Sequence, residues 1–550
     1  MTTAKDSLAL AVQQLNRGDI TQGKRSLERL SNLEDTAEQA LMILFKVAMH
    51  ETNVNQARLI CQRLISLVPD KYDYTRTLAE LYIATQEGEF ALTTLQNYLS
   101  LVPDHAEAHY QLGHLARKLG KADMAKQHLQ EALQRDYQDT YSVYLELAQV
   151  YSEFYIDHQA AIDNLQHAIS IEPRYADAYF NLANLFEQLG DKQHCSLYFK
   201  KVLTIDPHHS LAHARLADVD VFTDTTAAQY EQRSLALLDA ETDDVLKADL
   251  YYALGKVFND SQNYQKAWHY YVIANQFNRR YIAHYDRSSI EAYVEKTLVR
   301  KLEGIKAIND KVTPIIICGM FRSGSTLIEQ IVSASERVSA GGEIDYLHKQ
   351  LFSLIGEPEL LLKKVNAFSF SSGYSKALAI RADHKQYVTD KRPENYLYID
   401  IIKQLYPQAK VIWTQRDIRD NSLSAYFQHL GASLNYATCL DDTVHYYQMQ
   451  QQVKAHWQQR YPNDIFTVDY DQLVQQPETV LSALFGYLGI QYQGEGNVFH
   501  KQTNTVSTAS VWQVRRPLYQ SSSGRYRDYQ AFITAQGVEH EFIKMMEKMT

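Results

Sequence analysis

Residues 1–281 carry apolar side chains at the three- and four-residue spacing of amphipathic helices. Prolines recur within this stretch at intervals of 34 positions, from Pro69 to Pro103 and again from Pro173 to Pro207. A repeat of this length predicts stacked helical hairpins, each too small to bury its own apolar face. From Thr313 onward the helical period stops.

The positions inside each unit agree with a tetratricopeptide-type repeat, which has this period. One unit shows the pattern clearly, with Leu112 and Gly113 in its first helix and Ala125, Leu129 and Ala132 in its second. Small residues let two antiparallel helices approach closely, and larger apolar residues fill the groove between neighbouring hairpins. We therefore predict an α-helical solenoid over residues 1–281, whose groove can hold a peptide, a protein or part of the same chain.

Beyond the repeats, short β-branched runs alternate with helical segments. Strands are predicted at 314–318, 387–389, 410–414 and 465–468. Such alternation predicts a parallel sheet covered on both faces, with ligands at the carboxyl ends of its strands. The fold prediction is thus a multidomain chain, in which a tetratricopeptide solenoid is followed by a helical linker (282–312) and a P-loop-like α/β domain (313–550).

The first predicted strand runs into GMFRSGST, from Gly319 to Thr326, where a helix opens. A strand-to-helix turn of this kind aims backbone N–H groups and the helix dipole at an anion. The spacing resembles the P-loop of nucleoside triphosphatases, but Ser325 stands in place of the lysine. The missing lysine argues against triphosphate hydrolysis, and Arg322 can supply the positive charge instead.

Four segments in order carry a family resemblance: FRSGSTLIEQ, GGEID, TDKRPEN and RDIRDNSLS. Together they resemble the sulfotransferase family, in particular tyrosylprotein sulfotransferases and their bacterial relatives fused to tetratricopeptide repeats. The likeness runs from about Pro314 to Tyr529. Phe321 and Ile418 stand where the family often has proline, and neither change removes a hydrogen-bond donor.

The resemblance implies a metal-free reaction with 3′-phosphoadenosine 5′-phosphosulfate. It implies that the 5′-phosphosulfate is held by the loop residues Arg322, Ser323, Gly324, Ser325 and Thr326. It also implies that Arg416 and Ser424 hold the 3′-phosphate, a geometry that suits a phosphate at a helix start. Two alternatives stay open: an ion pair of Arg416 with Asp417 or Asp420, and Ser422 in place of Ser424.

Sulfuryl transfer needs a base for the acceptor hydroxyl and cations for the leaving oxygen. The resemblance assigns the base to Glu343, whose carboxylate we expect to be buried, and assigns Lys391 and Arg322 to the leaving side. His348 is a rival base, and Glu343 could instead interact with a helix N-terminus. Lys391 could instead form a structural ion pair, for example with Asp390.

The late segment STASVWQVRRPLYQSSSGRYRDY is rich in hydroxyls and arginines, and it resembles the final donor-binding segment of the family. We expect Ser510 near the sulfate as a fourth catalytic residue. We expect Arg515, Arg516 and Arg525 at the nucleotide phosphates. For each of these arginines, a place in a solvated basic loop is the alternative.

Composition narrows the function classes. A formal net charge of −10 argues against a broad surface for nucleic acid or an anionic membrane. The four cysteines contain no CxxC pair, which argues against a zinc ribbon or a disulfide framework. No apolar run approaches the roughly 18 to 20 residues of a membrane span, so the sequence predicts a cytoplasmic protein.

The sequence thus predicts a sulfotransferase that modifies a hydroxyl of a peptide, protein or carbohydrate, with a protein tyrosine as one candidate. The repeat groove is one candidate place for the acceptor, and the alternative is that the repeats only support the enzyme domain. Two other functions stay open. One is a P-loop-type nucleotide kinase, and the other is a non-catalytic adaptor in which the repeats do the binding.

Overall fold

The computed structural model describes residues 4–300, 307–308, 311–351, 367–502, 504–506, 508 and 510–535. The chain forms two compact units, Met1–Leu185 and Phe186–Thr550, and each is described by itself. The predicted domain limits at 281 and 313 stay predictions. Among the described residues, no helix combines the length and apolarity needed to cross a bilayer.

The first unit consists of helical hairpins, as the 34-residue period predicts. Its helices are α1 (Ala4–Asn16), α2 (Ile20–Leu30), α3 (Ala37–His50), α4 (Val54–Leu67), α5 (Tyr72–Ala84), α6 (Gly88–Leu101), α7 (Ala106–Lys118), α8 (Ala122–Gln134), α9 (Thr140–Val150) and α10 (His158–Ile171). The next helix, α11 (Ala176–Leu189), crosses from the first unit into the second.

Small residues allow the two helices of a hairpin to touch. A Cβ added at Gly113 in α7 would lie 2.7 Å from Cγ of Leu129 in α8. Ala125, Leu129 and Ala132 on the α8 face are fully buried. The core role predicted for these repeat positions is confirmed.

Helical repeats continue in the second unit. They are α12 (Lys192–Ile205), α13 (Ser210–Val219), α14 (Asp224–Ala240), α15 (Asp244–Asp260) and α16 (Tyr264–Tyr281), and α17 (Arg287–Val299) follows them. In the α15–α16 hairpin, a Cβ at Gly255 would lie 2.5 Å from the ring of Tyr271, which shows the same close approach.

The rest of the second unit is an α/β fold. Its strands are β1 (Thr313–Gly319), β2 (Val338–Ser339), β3 (Tyr387–Asp390), β4 (Lys410–Gln415) and β5 (Ile465–Asp469). They form one parallel sheet in the order β2-β3-β1-β4-β5. The four predicted strands are confirmed, and the sequence pattern missed only β2 among the described strands.

Helices cover both faces of this sheet. The helices in this part of the chain are α18 (Ser325–Ser333), α19 (Tyr346–Leu351), α20 (Ala367–Ala379), α21 (Ile399–Leu405), α22 (Ile418–Tyr426), α23 (Leu440–Arg460), α24 (Tyr470–Gln475), α25 (Pro477–Leu488), α26 (Val511–Val514) and α27 (Gln530–Ala535). Side chains of β1 alternate between the two layers: Ile317 packs in the cluster of Ile331, whereas Ile316 packs in that of Trp457.

The α15–α16 hairpin shares a core with the α/β fold. The indole of Trp268 stacks on Tyr426 at a ring-centroid distance of 5.6 Å, and Tyr271 stacks on Phe427 at 4.0 Å. Asn275 Nδ2 donates a hydrogen bond of 2.9 Å to the carbonyl oxygen of Tyr426. This last repeat is therefore a structural part of the second unit.

The repeats of the second unit also hold the C-terminal segment of their own chain. The N–H of Val506 donates to the carbonyl oxygen of Gln188 in α11, at 2.9 Å. Asn259 Oδ1 in α15 accepts from Arg525 Nη2 at 2.6 Å and from the Tyr529 hydroxyl at 2.8 Å. In this unit, repeat residues thus bind part of the same chain, which was one of the predicted uses of the groove.

Candidate active site

Three cations follow the carboxyl ends of three neighbouring strands. Lys391 comes directly after β3, Arg416 directly after β4, and Arg322 lies in the loop after β1. Because β1 lies between β3 and β4 and all three are parallel, these residues leave the same edge of the sheet.

The loop after β1 needs its two glycines. Gly319 and Gly324 have φ values of 144° and 98°, which disfavour residues with a side chain. A Cβ at Gly319 would lie 2.3 Å from the carbonyl oxygen of Thr414, so the loop runs closely against β4. The Ser323 hydroxyl binds Thr414 Oγ1 at 2.7 Å and therefore fixes the loop to that strand.

Arg322 is held by neutral side chains. Its φ of 66° lies in the left-handed region, which is uncommon for a residue with a side chain. Its guanidinium donates to Ser424 Oγ at 3.1 Å, to Gln513 Oε1 at 2.9 Å and to Ser510 Oγ. Burial, together with the charge of Arg416, lowers the pKa of Arg322 to about 10. The lowered pKa indicates that positive charges lie close together at this site.

Arg416 is buried beside this loop. It donates to the carbonyl oxygen of Ser522, and its guanidinium carbon lies 4.8 Å from the centre of the Tyr470 ring. Its Nη1 lies 3.5 Å from the carbonyl oxygen of Arg322. Within the described part of the chain, its buried Nε atom has no hydrogen-bond partner. An orphaned buried donor on a cation is suited to receive an anion.

The two acidic rivals for Arg416 have other partners. The carboxylate of Asp417 binds the guanidinium of Arg419 at 2.8 Å. The carboxylate of Asp420 accepts the N–H groups of Gly524 and Tyr526, at 2.5 Å and 2.7 Å. Burial raises the pKa of Asp420, and the charge of Arg416 opposes that rise. Arg416 is therefore near Asp420 but does not depend on it for a hydrogen bond.

The two candidate serines of α22 face different surroundings. Ser424 binds Arg322 and lines a cavity, whereas Ser422 is fully buried and its hydroxyl has no partner within the described residues. The structure therefore favours Ser424 over Ser422 as a ligand-facing residue.

The cavity has a volume of about 630 Å³ that includes space open to solvent. Its cations are Arg322, Arg416, Arg516 and Arg525. Hydroxyl groups and apolar side chains complete the wall, among them Ser424, Ser510, Tyr470, Leu327, Phe499 and Leu518. No acidic side chain lines it in the described part of the chain. The cavity is therefore built for an anion that also has an apolar part.

Glu343 and Lys391 form a second group outside this cavity lining. Lys391 Nζ lies 2.6 Å from Glu343 Oε1, and the Lys391 side chain is only 1% exposed. The Glu343 side chain is 33% exposed, so the expected burial of its carboxylate is wrong. Lys391 is the buried member of the pair.

The structure does not favour the two alternatives for this pair, which are an ion pair of Lys391 with Asp390 and His348 as the base. Asp390 accepts a hydrogen bond of 2.7 Å from the Tyr374 hydroxyl, and burial raises the pKa of Asp390 to about 6. The ion pair of Lys391 is thus with Glu343. His348 Nδ1 lies 3.3 Å from the Tyr398 hydroxyl, which anchors that ring to the domain.

Comparison with known proteins identifies the family of one domain and the type of the repeats. Residues 314–494 match the sulfotransferase family model. The chain carries a sulfotransferase-family domain. Residues 106–139, 157–190 and 176–209 match models of the tetratricopeptide repeat, so the repeats precede the sulfotransferase domain.

The relatives that match this chain are distant. An uncharacterized protein of Aquifex aeolicus (strain VF5) is 24% identical over 398 residues, which are 68% of this chain and 51% of that protein. A protein of Caenorhabditis briggsae named "Putative protein-tyrosine sulfotransferase" is 25% identical over 186 residues, 32% of this chain and 66% of that one. The chain thus spans about half the length of the first relative and slightly less than two thirds of the second.

Among solved structures, one similar chain is the sulfotransferase domain from the Synechococcus PCC 7002 olefin synthase. The two chains are 17% identical with a TM-score of 0.31, over 42% of this chain and 90% of that one.

Several residues predicted for the donor site lie outside the cavity lining of the sulfotransferase domain. Arg515 donates to the carbonyl oxygens of Gln502 and Asn504, so the expectation that it contacts the nucleotide is not supported. The side chains of Ser323, Ser325 and Thr326 are buried within the loop and the start of α18. They support the loop rather than line the cavity.

Sequence reasoning also missed residues at this site. Tyr470 follows β5 directly, and the strand-end rule could have identified it. Gln513 binds Arg322, and Asn259 binds Arg525, but an amide in a helix or loop gives no sequence signal of its own.

The glycine pair before Glu343 gives a first testable prediction. A Cβ at Gly341 would lie 2.0 Å from the carbonyl oxygen of Thr389. We expect Gly341→Ala to destabilise the protein by about 1–3 kcal/mol, because the backbone must move. Thermal denaturation measures this change. Gly431→Ala is the control, since nothing lies within 4 Å of its Cβ position, and equal melting temperatures for the two variants would contradict the prediction.

Proposed function

We propose that the chain transfers a sulfuryl group from 3′-phosphoadenosine 5′-phosphosulfate to an acceptor hydroxyl. The observation that carries this proposal is the cavity, which four arginines line with no acidic side chain in the described residues. Such a set of cations suits a donor with several anionic groups.

The residues of the cavity fit that donor. The buried Nε of Arg416 lacks a partner among the described residues, and a phosphate oxygen would supply one. An anion between Arg322 and Arg416 would also relieve the repulsion that helps to lower the pKa of Arg322. The apolar side chains of Leu327, Phe499 and Leu518 suit a purine ring.

The donor supplies the sulfuryl group when it is bound, and the chain's own residues handle charge and protons. Glu343 would take the proton of the acceptor hydroxyl while the hydroxyl oxygen bonds to sulfur, and the bond from sulfur to the bridging phosphate oxygen breaks to release adenosine 3′,5′-bisphosphate. Lys391 would stabilise the negative charge that develops on the leaving oxygen. Lys391 Nζ and Glu343 Oε1 lie 2.6 Å apart, so the proposed base and the proposed cation are adjacent.

We further propose a peptide or protein acceptor, with tyrosine as the first residue to test. The name of the Caenorhabditis relative and the presence of tetratricopeptide repeats support this choice. In the second unit, repeat residues hold the chain's own C-terminal segment. Acceptor binding is therefore proposed for repeats of the first unit, where α7 and α9 carry the polar group His114, Arg117 and Glu146.

Substitution of Arg416 tests the donor site. We expect Arg416→Ala to raise the Kd for adenosine 3′,5′-bisphosphate by about 10- to 100-fold, because hydrogen bonds to charged groups contribute about 1.5–3 kcal/mol. Arg527→Ala is the control, since Arg527 is exposed and lies two residues beyond Arg525 without lining the cavity. The proposal fails if both variants bind the bisphosphate as tightly as the unchanged protein does.

A further inference from the structure

Glu329 is a buried carboxylate that the assignments above do not use. It lies in α18, one helical turn beyond Ser325, and its exposure is only 4%. Burial raises the pKa of Glu329, and the charge of Lys391 is the main opposing influence. A carboxyl group in such a place requires partners, because an uncompensated buried charge is costly.

The partners of Glu329 belong to the turn before Glu343. Glu329 Oε1 accepts the N–H of Gly342 at 2.9 Å and the hydroxyl of Thr389 at 2.7 Å. The oxygen of that hydroxyl accepts the N–H of Gly341 at 2.9 Å. One carboxylate oxygen therefore fixes both glycine amides, the second directly and the first through Thr389.

The same turn is tied to Lys391 from the other side. The backbone N–H of Lys391 donates to the carbonyl oxygen of Gly342 at 2.9 Å, while its Nζ binds Glu343. Gly342 has a φ of 66°, a conformation that its small size permits. These bonds join α18, the glycine turn and the end of β3 into one closed network.

We propose that Glu329 is a positioning residue of the transfer site. It holds the Gly341–Gly342 turn that presents Glu343. This inference rests on the proposed function for its catalytic part, whereas the placement of the turn can be tested without catalysis.

Four variants test this positioning role. Glu329→Ala removes the acceptor, whereas Glu329→Gln retains an oxygen acceptor but removes the charge. Thr389→Val removes the hydroxyl relay, whereas Thr389→Ser retains it. Ser333→Ala is the control, because it changes a buried hydroxyl of the same helix that bonds to the Gln330 carbonyl and Gln502 rather than to the turn.

We expect Glu329→Ala to lower kcat by about 100-fold, since small displacements of a catalytic group have effects of this size. The Kd for adenosine 3′,5′-bisphosphate should change by less than about threefold, because the donor cavity is left intact. Thr389→Val should lower kcat by about tenfold and Thr389→Ser should restore it. Equal losses of kcat, donor binding and melting temperature in all four variants would overturn the inference.

Hydrogen exchange of the substrate-free protein measures directly how well the amides of the turn are protected. The amides of Gly341 and Gly342 should exchange faster in Glu329→Ala and remain protected in Glu329→Gln and in Ser333→Ala. Unchanged protection in Glu329→Ala would overturn the inference even if the protein transfers sulfuryl groups. If the unchanged protein transfers none, the proposed function fails, and the exchange result still decides whether Glu329 holds the turn.

Discussion

Glu343→Gln is expected to lower the rate of sulfuryl transfer by about 10²- to 10⁴-fold, the usual contribution of a general base. The amide retains an oxygen that can accept the hydrogen bond of Lys391 Nζ, now at 2.6 Å from Glu343 Oε1. It cannot take a proton from the acceptor hydroxyl. The variant should therefore keep its fold and lose its transfer activity.

Single-turnover transfer from sulfur-35-labelled donor measures this rate, and titration with adenosine 3′,5′-bisphosphate measures donor binding in the same preparation. Donor affinity should change by less than about threefold, because Glu343 does not line the arginine cavity. Asp345→Asn is the control, since Asp345 is exposed and pairs with Arg392 two residues from Glu343. Equal effects of the two substitutions, or parallel losses of binding and transfer, would show that Glu343 is structural.

Removal of residues 1–312 is expected to prevent folding of the remaining chain. The cut removes Trp268 and Tyr271, which pack on Tyr426 and Phe427 in the shared core. Truncation of one large buried aromatic costs about 3–5 kcal/mol. Domains are stable by only about 5–15 kcal/mol, so the loss of two such contacts is already a large fraction.

The same cut breaks a buried ion pair. Arg300 binds both carboxylate oxygens of Asp400, and the two side chains are 2% and 1% exposed. Removal of one partner leaves an uncompensated buried charge, which costs about 3–5 kcal/mol. The effects together exceed what the α/β fold can lose.

Near-ultraviolet circular dichroism and cooperative thermal melting test this prediction on a chain that begins at Thr313. The control is a chain that begins at Ala176, which keeps α11 and every later repeat. We expect the longer chain to melt cooperatively and the shorter one to show no transition. A cooperative transition in the shorter chain would contradict the prediction.

Local patterns explain what the sequence could predict of the fold. The recurring prolines reveal the repeats, and β-branched runs reveal β1, β3, β4 and β5. The strand β2 has two residues, which is too few for any periodicity. The shared core was also hidden, because Asn275 and Tyr426 are 151 positions apart and neither residue type indicates such a contact.

For the site, the family resemblance was the useful guide. It named Arg322, Lys391 and Arg416, and the strand order places all three at one edge of the sheet. It could not show which of Arg515 and Arg516 faces the cavity. The helix before them has four residues, which is too short for a periodic pattern that would indicate side-chain direction. The predicted burial of the Glu343 carboxylate was wrong for a related reason. Glu343 lies in a loop before a short helix, and such a loop can leave a carboxylate partly in solvent.

Calorimetric titration tests the identity of the donor most directly. The full chain is titrated with adenosine 3′,5′-bisphosphate and, separately, with ATP and magnesium. We expect the bisphosphate to bind at least about tenfold more tightly, because Ser325 replaces the lysine that triphosphate sites use. Tighter binding of ATP with magnesium would contradict the proposed sulfotransferase function.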